Sequence, residues 1–233
     1  MTDATWPLPD VELTLDVRRT ALVIVDMQYY DADRRSGIGR SLEAARPGYT
    51  AYYFDRLEGI VIPAIQRLLA FFRRHGLPVV FLTYASETDD GRDLNPLLRA
   101  RNDQRRRAIG VPSVFPKSAP EARILDALEP REGELVLNKT SQSAFVSTPF
   151  EPTLRDLGID GVLVTGVVTN VCVEATARDA ADRGLKTVIV EDGCAAWEPT
   201  FHEATLRSFR KFLGRVEAAS AIEAELATQL APS

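Results

Sequence analysis

Short apolar runs alternate along this chain with longer stretches whose apolar residues recur at helical spacing. Residues 20–25 (TALVIV) are almost wholly apolar, the pattern of a strand buried on both faces. Residues 55–75 then place Leu57, Ile60, Val61, Ile65, Leu68, Leu69 and Phe72 on one helical stripe, closed by Gly76. Residues 78–82 (PVVFL) and 135–137 predict a second and a third strand. Residues 148–157 predict a helix with Thr148 as its N-cap and Pro149 at its first position. A fourth strand is predicted over 161–165, a helix over 172–183 ended by Gly184, and a fifth strand over 187–190. A helix over 200–212, a short strand over 215–218 and a helical tail over 222–230 complete the pattern.

This alternation predicts an α/β fold: a doubly wound, mostly parallel six-stranded sheet with helices on both faces, a Rossmann-like three-layer arrangement. Sites in such sheets gather at the carboxyl ends of the strands. Residues 29–53 and 87–118 carry no clear period and are rich in Arg, Gly and Pro. They read as long connections of the kind that act as lids or binding loops. No repeat or composition break divides the chain. Residues 1–233 read as one domain, with an N-terminal extension over 1–19 and a C-terminal tail over 219–233.

Composition changes this picture little. With 45% hydrophobic residues the chain can bury a sheet without staples. A net charge of −5 argues against nucleic acid or an anionic membrane as partner. The arginines of residues 99–107 cluster against that trend; they either meet an anionic substrate or form a solvated helix face. Two cysteines, Cys172 and Cys194, are too few for a disulfide framework and lack zinc-binding spacing. The first fifteen residues lack the basic start and apolar run of a secretion signal. No apolar run approaches the roughly 20 residues that span a bilayer. The expectation is a cytoplasmic protein.

Three residues that could carry chemistry fall where strands end. Asp26 follows the first strand, Lys139 the third, and Cys172 lies after the fourth at the start of a helix. A helix N-terminus and a nearby Lys both favour thiolate over thiol, and a nearby carboxylate could take the thiol proton. Each has an ordinary structural reading as well: a small core cysteine, a capping Asp, a solvated Lys. It is the shared strand-end position that joins them. Nucleotide binding is disfavoured, because the turn after the first strand reads DMQYYD, with no glycine to admit a phosphate.

Three stretches carry a family resemblance: ALVIVDMQ (21–28), LNKTSQSAF (137–145) and TGVVTNVCVEATARDA (165–180). In these, and in their order and spacing from about residue 20 to 216, the chain resembles the isochorismatase-like cysteine hydrolase superfamily. The resemblance implies a catalytic triad of Asp26, Lys139 and Cys172, and a cis peptide just before Val168. It also implies an oxyanion hole formed by the N–H groups of Val168 and Cys172. Isochorismatases proper lack the cysteine, so its presence points to an amide-cleaving branch. Nicotinamidases carry metal-binding histidines after the second strand, where this chain reads TYASETDD (83–90). Its two histidines, His75 and His202, read as structural or solvent-facing.

The expectation is therefore a metal-free, cofactor-free amidohydrolase, similar to enzymes acting on biuret, ureidoacrylate or N-carbamoyl compounds. It would cleave the C–N bond of a small linear amide or ureide through a thioester on Cys172. A homo-oligomer, dimer or tetramer, is implied too. Gln28 either orients a substrate or makes a loop hydrogen bond. Tyr29, Tyr30, Phe145 and Trp197 either line a pocket or pack in the core. Glu174, Arg178 and Asp179 read as a polar network that holds the helix, and Cys194 as a packed small residue. The alternatives are a relative that hydrolyses an ester or hydrazide, and a non-catalytic member that binds a small metabolite.

Overall fold

The protein was analysed as a computed structural model that describes residues 7–110 and 115–230. The first six residues of the expected N-terminal extension lie outside it, as do the last three of the tail and residues 111–114 of the second long connection.

Six strands form one sheet, parallel at every pairing: β1 (Thr20–Val25), β2 (Val79–Tyr84), β3 (Leu135–Lys139), β4 (Gly161–Val167), β5 (Lys186–Ala195) and β6 (Arg215–Glu217). Their order across the sheet is β3-β2-β1-β4-β5-β6. All six residues of β1 are buried because it lies between β2 and β4 with helices over both faces. Leu22 and Ile24 point to one side. There they join Phe81, Leu163 and Val188 against α3 (Ala51–Arg56), α4 (Ile62–Arg74) and α10 (Ala219–Thr228). Ala21, Val23 and Val25 point to the other side. There α7 (Phe150–Asp156), α8 (Glu174–Asp182) and α9 (Pro199–Phe212) cover them with Phe150, Leu154, Ala177, Leu206 and Phe209.

The two long connections are helical in part. Residues 29–53 contain α1 (Tyr29–Ala32), α2 (Gly37–Ala45) and the start of α3, and residues 87–118 contain α5 (Pro96–Ile109). α5 shows no apolar period because Leu98 is its one buried residue. Its ends define it instead. The Asn95 side chain accepts from the Leu98 N–H, Pro96 opens the first turn, and Gly110 closes the helix at φ +73°. The helix expected over 55–75 begins earlier, at Ala51, and passes through a π-helical turn, Leu57–Val61, before α4.

Other boundaries shift too. β3 runs on to include Lys139, and β5 is longer than expected, with a register irregularity opposite Val164 and Gly166. Thr148 is not the cap of α7. It ends α6 (Ala144–Ser147), and Pro149 is the N-cap, although the Thr148 hydroxyl does accept from the Phe150 N–H.

Gly166 is the glycine on which the strand ends depend most. It sits in β4 at φ +103°, and a Cβ placed on it would lie 2.0 Å from the Val25 carbonyl oxygen. Only glycine lets β4 approach β1 here. Gly184, at φ +80°, has nothing within 4 Å of such a Cβ. Gly184→Ala is expected to cost ~1–2 kcal/mol, the strain of a left-handed residue alone. Gly166→Ala should cost more than about 4 kcal/mol, the range of a core clash. Urea denaturation of both variants checks this; equal losses would contradict it.

Candidate active site

The strand order reverses between β1 and β4, and open α/β sheets take ligands in the crevice at that reversal. Asp26 enters it directly from β1. Among the described residues it is the one non-glycine residue at positive φ, +52°, a region that a short acidic side chain tolerates. Its N–H donates to the Leu82 carbonyl at 2.8 Å. Buried Gln28 clamps the same turn: Oε1 accepts from the Tyr84 N–H at 2.8 Å and Nε2 donates to the Ala122 carbonyl at 2.7 Å. Both its ends are engaged with backbone, so here Gln28 orients a loop rather than a substrate.

Lys139 is the last residue of β3, two strands away from Asp26. Its side chain is fully buried, and Nζ donates to Asp26 Oδ2 at 2.7 Å. The ammonium crosses β2 to get there, 4.6 Å from the ring centroid of Tyr84, the residue paired with Lys139 in the sheet. Asp26 Oδ1 is buried with no settled hydrogen bond among the described residues. The Cys172 thiol interacts with that carboxylate and with Lys139.

Cys172 does not open an α-helix, as the sequence suggests. It lies in a π-helical turn, Thr169–Val173, that precedes α8. The Val168 carbonyl accepts from both Val171 and Val173 N–H groups, the second five residues on. Thr169 is pinned from below. His202 Nδ1 lies 2.9 Å from Thr169 Oγ1, and Arg56 NH2 lies 3.0 Å from His202 Nε2. A guanidinium only donates, so Nε2 accepts and Nδ1–H donates to the threonine. Burial, and then the Arg56 charge, hold His202 down to about 4, so the ring is neutral. This buried histidine is structural and supports the cysteine turn. Glu174 and Arg178 brace the other side: Arg178 donates to Glu174 and Ser208, and the Thr205 hydroxyl donates to Glu174, which ties α8 to α9. Asp179 pairs with Arg183, and Cys194 is packed in β5 against the Val164 carbonyl.

The electrostatics revise one expectation. Burial pushes the Cys172 thiol well above its ordinary value, the Asp26 charge pushes the same way, and Lys139 only partly opposes them. The resting group is a thiol, not a thiolate. Burial raises Asp26 as well, against the pull of Lys139. For Lys139 burial acts downward, but Asp26 and Cys172 outweigh it and keep the ammonium charged.

A cavity of about 210 Å³ opens over these groups, lined by Asp26 and Cys172 together with Val167 and Val168, whose shared peptide bond is cis. Trp197 forms part of the wall and stacks on Tyr53 at 4.0 Å. The other aromatic candidates lie elsewhere. Phe145 packs edge-on to Phe150 beneath Arg183. Tyr29 packs against the core and faces Arg123, and Tyr30 is buried against Phe115.

Sequence reasoning missed Asp31, Tyr84, Gln142 and Asn170 in the lining, whereas Arg101 and Arg105, also in the lining, belong to the arginine stretch that it read as meeting an anionic substrate or as a solvated helix face. Gln142 and Asn170 fall inside the matching motifs, and Arg101 and Arg105 have the i, i+4 spacing of one helix face. Among the described residues no three His, Cys, Asp or Glu side chains cluster as metal ligands would. No described helix is long and apolar enough to cross a membrane.

The isochorismatase domain profile matches residues 20–221. The chain belongs to the isochorismatase family. Within it, the chain is 32% identical over 233 residues to the ureidoacrylate amidohydrolase RutB of Methylorubrum extorquens strain DM4, covering 96% of this chain and 89% of that protein. A cysteine hydrolase from Pseudomonas syringae pv. phaseolicola superposes with a TM-score of 0.77 at 23% identity, over 96% of this chain and all of that one. N-carbamoylsarcosine amidase from Thermoplasma acidophilum superposes with a TM-score of 0.60 at 27% identity, over 86% and 96%.

Asp31, in the cavity lining, makes the electrostatics of the site measurable. Burial, with the Asp26 charge adding to it, raises its pKa from 3.8 to about 7. The folded state then holds the proton more tightly than the unfolded state. The stabilisation is complete below about pH 4 and is lost as pH rises through about 7. Asp31→Asn cannot titrate. Its urea midpoint relative to the parent is expected to climb between those limits and then level off. A flat difference would contradict the assignment.

Proposed function

We propose that this chain is a cysteine amidohydrolase that cleaves the C–N bond of a small linear amide or ureide through a thioester on Cys172. One observation carries the reading: Lys139 occupies Asp26 Oδ2 while Oδ1 has no settled partner beside a neutral thiol. A carboxylate held by Lys139 through one oxygen keeps acceptor capacity for the thiol proton. The names of the relatives support the same bond type.

The reaction follows from the geometry. Asp26 takes the Sγ proton as sulfur attacks the carbonyl carbon, and the carbonyl electron pair moves onto oxygen. The N–H groups of Val168 and Cys172 receive that oxyanion; both residues line the cavity. Removing one such donor typically costs about 2.7–4 kcal/mol of transition-state stabilisation. On collapse the C–N bond breaks, and Asp26 returns its proton to the departing nitrogen. Ammonia or an amine leaves, and the acyl group stays on sulfur. Asp26 next takes a proton from water, whose oxygen attacks the thioester. The C–S bond then breaks and the proton returns to sulfur. Lys139 stays charged throughout and keeps Asp26 ionised at each point where it acts as base.

The proposal extends to a cytoplasmic homo-oligomer, dimer or tetramer. Both cysteines are free, as in a reducing compartment, and Leu97 and Val146 expose large apolar side chains.

The test is leaving-group release from a panel of ureides, amides, esters and hydrazides, read as ammonia or amine, alcohol or hydrazine respectively. Cys172→Ala and Asp26→Asn are each expected to lower turnover by at least about 10⁴-fold while keeping the parent melting temperature within a few degrees. Turnover of Cys172→Ala within tenfold of the parent would overturn the proposal. Exclusive hydrolysis of esters or hydrazides would replace the bond assignment.

A further inference from the structure

Four side-chain polar atoms among the described residues are sealed from solvent without a hydrogen-bond partner: Asp26 Oδ1, Asp160 Oδ1, Asn170 Oδ1 and Arg210 Nε. Asp160 and Arg210 lie outside the cavity, and their other atoms pair with Arg19 and Glu191. Asp26 and Asn170 both line the cavity over Cys172. The proposed acyl transfer uses Asp26 Oδ1 and leaves Asn170 Oδ1 without a task. A buried acceptor with no donor is unfavourable in the folded chain, so one at a cavity wall calls for a donor from the ligand.

Asn170 lies midway between Val168 and Cys172, in the π-helical turn. Both its neighbours are held. The Thr169 hydroxyl meets His202 at 2.9 Å, and the Val171 N–H donates to the Val168 carbonyl at 2.9 Å. The turn therefore fixes where the Asn170 amide starts from. In the proposed reaction the N–H groups of Val168 and Cys172 face the carbonyl oxygen. An acceptor beside that oxygen would be repelled as charge develops on it, so Asn170 Oδ1 has to meet a donating substituent of the carbonyl carbon. In an amide that substituent is the nitrogen. An ester oxygen in the same place sets lone pair against lone pair and leaves the buried acceptor unpaired.

We propose that Asn170 Oδ1 accepts an N–H of the leaving nitrogen and so makes the site select amides over esters. The identity of the leaving atom rests on the amidohydrolase reading. The contact also orients that nitrogen. With one N–H tied to Asn170, the nitrogen lone pair of the tetrahedral adduct is left to face Asp26. The proton moves from Asp26 to that lone pair, the oxyanion pair re-forms the carbonyl, and the C–N pair departs with nitrogen as a neutral amine or ammonia. A tertiary amide has no N–H to offer and is disfavoured on the same ground.

The test compares N-methylbutyramide with methyl butyrate, which differ only in N–H against O. Ligand-observed NMR titration of Cys172→Ala measures both affinities without turnover. The amide is expected to bind at least about tenfold tighter. Adding Asn170→Leu should cut that preference to about threefold or less, and Asn170→Ala, which brings no bulk to misplace, should do the same. Asn170→Asp keeps an acceptor and should retain the preference. No preference in the Cys172→Ala background, or one that neither Asn170→Leu nor Asn170→Ala alters, would overturn the proposal. An equal loss for both probes would make Asn170 a donor to the oxyanion and would overturn it too. Hydrolysis separates the two readings. If the enzyme with Cys172 cleaves the amide and Asn170→Leu slows amide and ester equally, the Asn170 contact falls and the amidohydrolase reading stands. If the Asn170-dependent preference persists but neither these probes nor the ureide panel is cleaved, the contact stands and the reaction assignment falls.

Discussion

The buried ion pair between Asp26 and Lys139 is the constraint on which the rest of the site depends. Taking two charges out of water costs several kcal/mol per ion, and only good geometry and further hydrogen bonds offset it. The sheet supplies that geometry. Strands β1 and β3 are separated by β2, a distance of roughly 9.5 Å at about 4.8 Å per strand spacing. A short cation could not span it. Lys139 does so by passing over the ring of Tyr84, which occupies the intervening strand at the same register. The Ser141 carbonyl, 3.4 Å from Nζ, adds a further acceptor. The pair therefore fixes which oxygen of Asp26 the ammonium occupies.

Burial, with the Asp26 charge adding to it, sets the protonation state of the cysteine. In a dry crevice already holding one carboxylate, a second anion is unfavourable, so the thiol keeps its proton. In the proposed reaction, attack and proton transfer are therefore coupled. The turn that holds Cys172 must be rigid for this to work. It is fastened by the neutral His202, which links Thr169 to Arg56, while Arg56 also donates to the Cys194 and Glu191 carbonyls of β5.

The sheet and the three strand-end residues are legible in the chain because buried parallel strands leave unbroken apolar runs that end abruptly. Thr20–Val25 followed by Asp26 is the clearest case. Lys139 falls inside β3 rather than beyond it because β3 is a partly exposed edge, where polar Asn138 does not mark an end. The Cys172 turn reads in sequence as the start of an α-helix because α and π turns share the same local residue preferences. α5 escapes the apolar pattern for a different reason. It buries one apolar side chain, so periodicity is silent, and only Asn95, Pro96 and Gly110 mark it. For the arginines that face the cavity, the sequence consequently leaves open whether they meet an anionic substrate or form a solvated helix face. Phe145 shows the converse: it belongs to a matching motif yet packs beneath Arg183, because motif membership does not tell which way a side chain points.

The covalent step proposed on Cys172 is the central claim, and the most direct measurement is mass spectrometry of enzyme quenched in acid during turnover of a ureide that it hydrolyses. The expected result is a peptide containing Cys172 heavier by the mass of the acyl group, transient in the parent and absent in Asp26→Asn. Turnover with no adduct on that peptide, or an adduct on Cys194 instead, would contradict it.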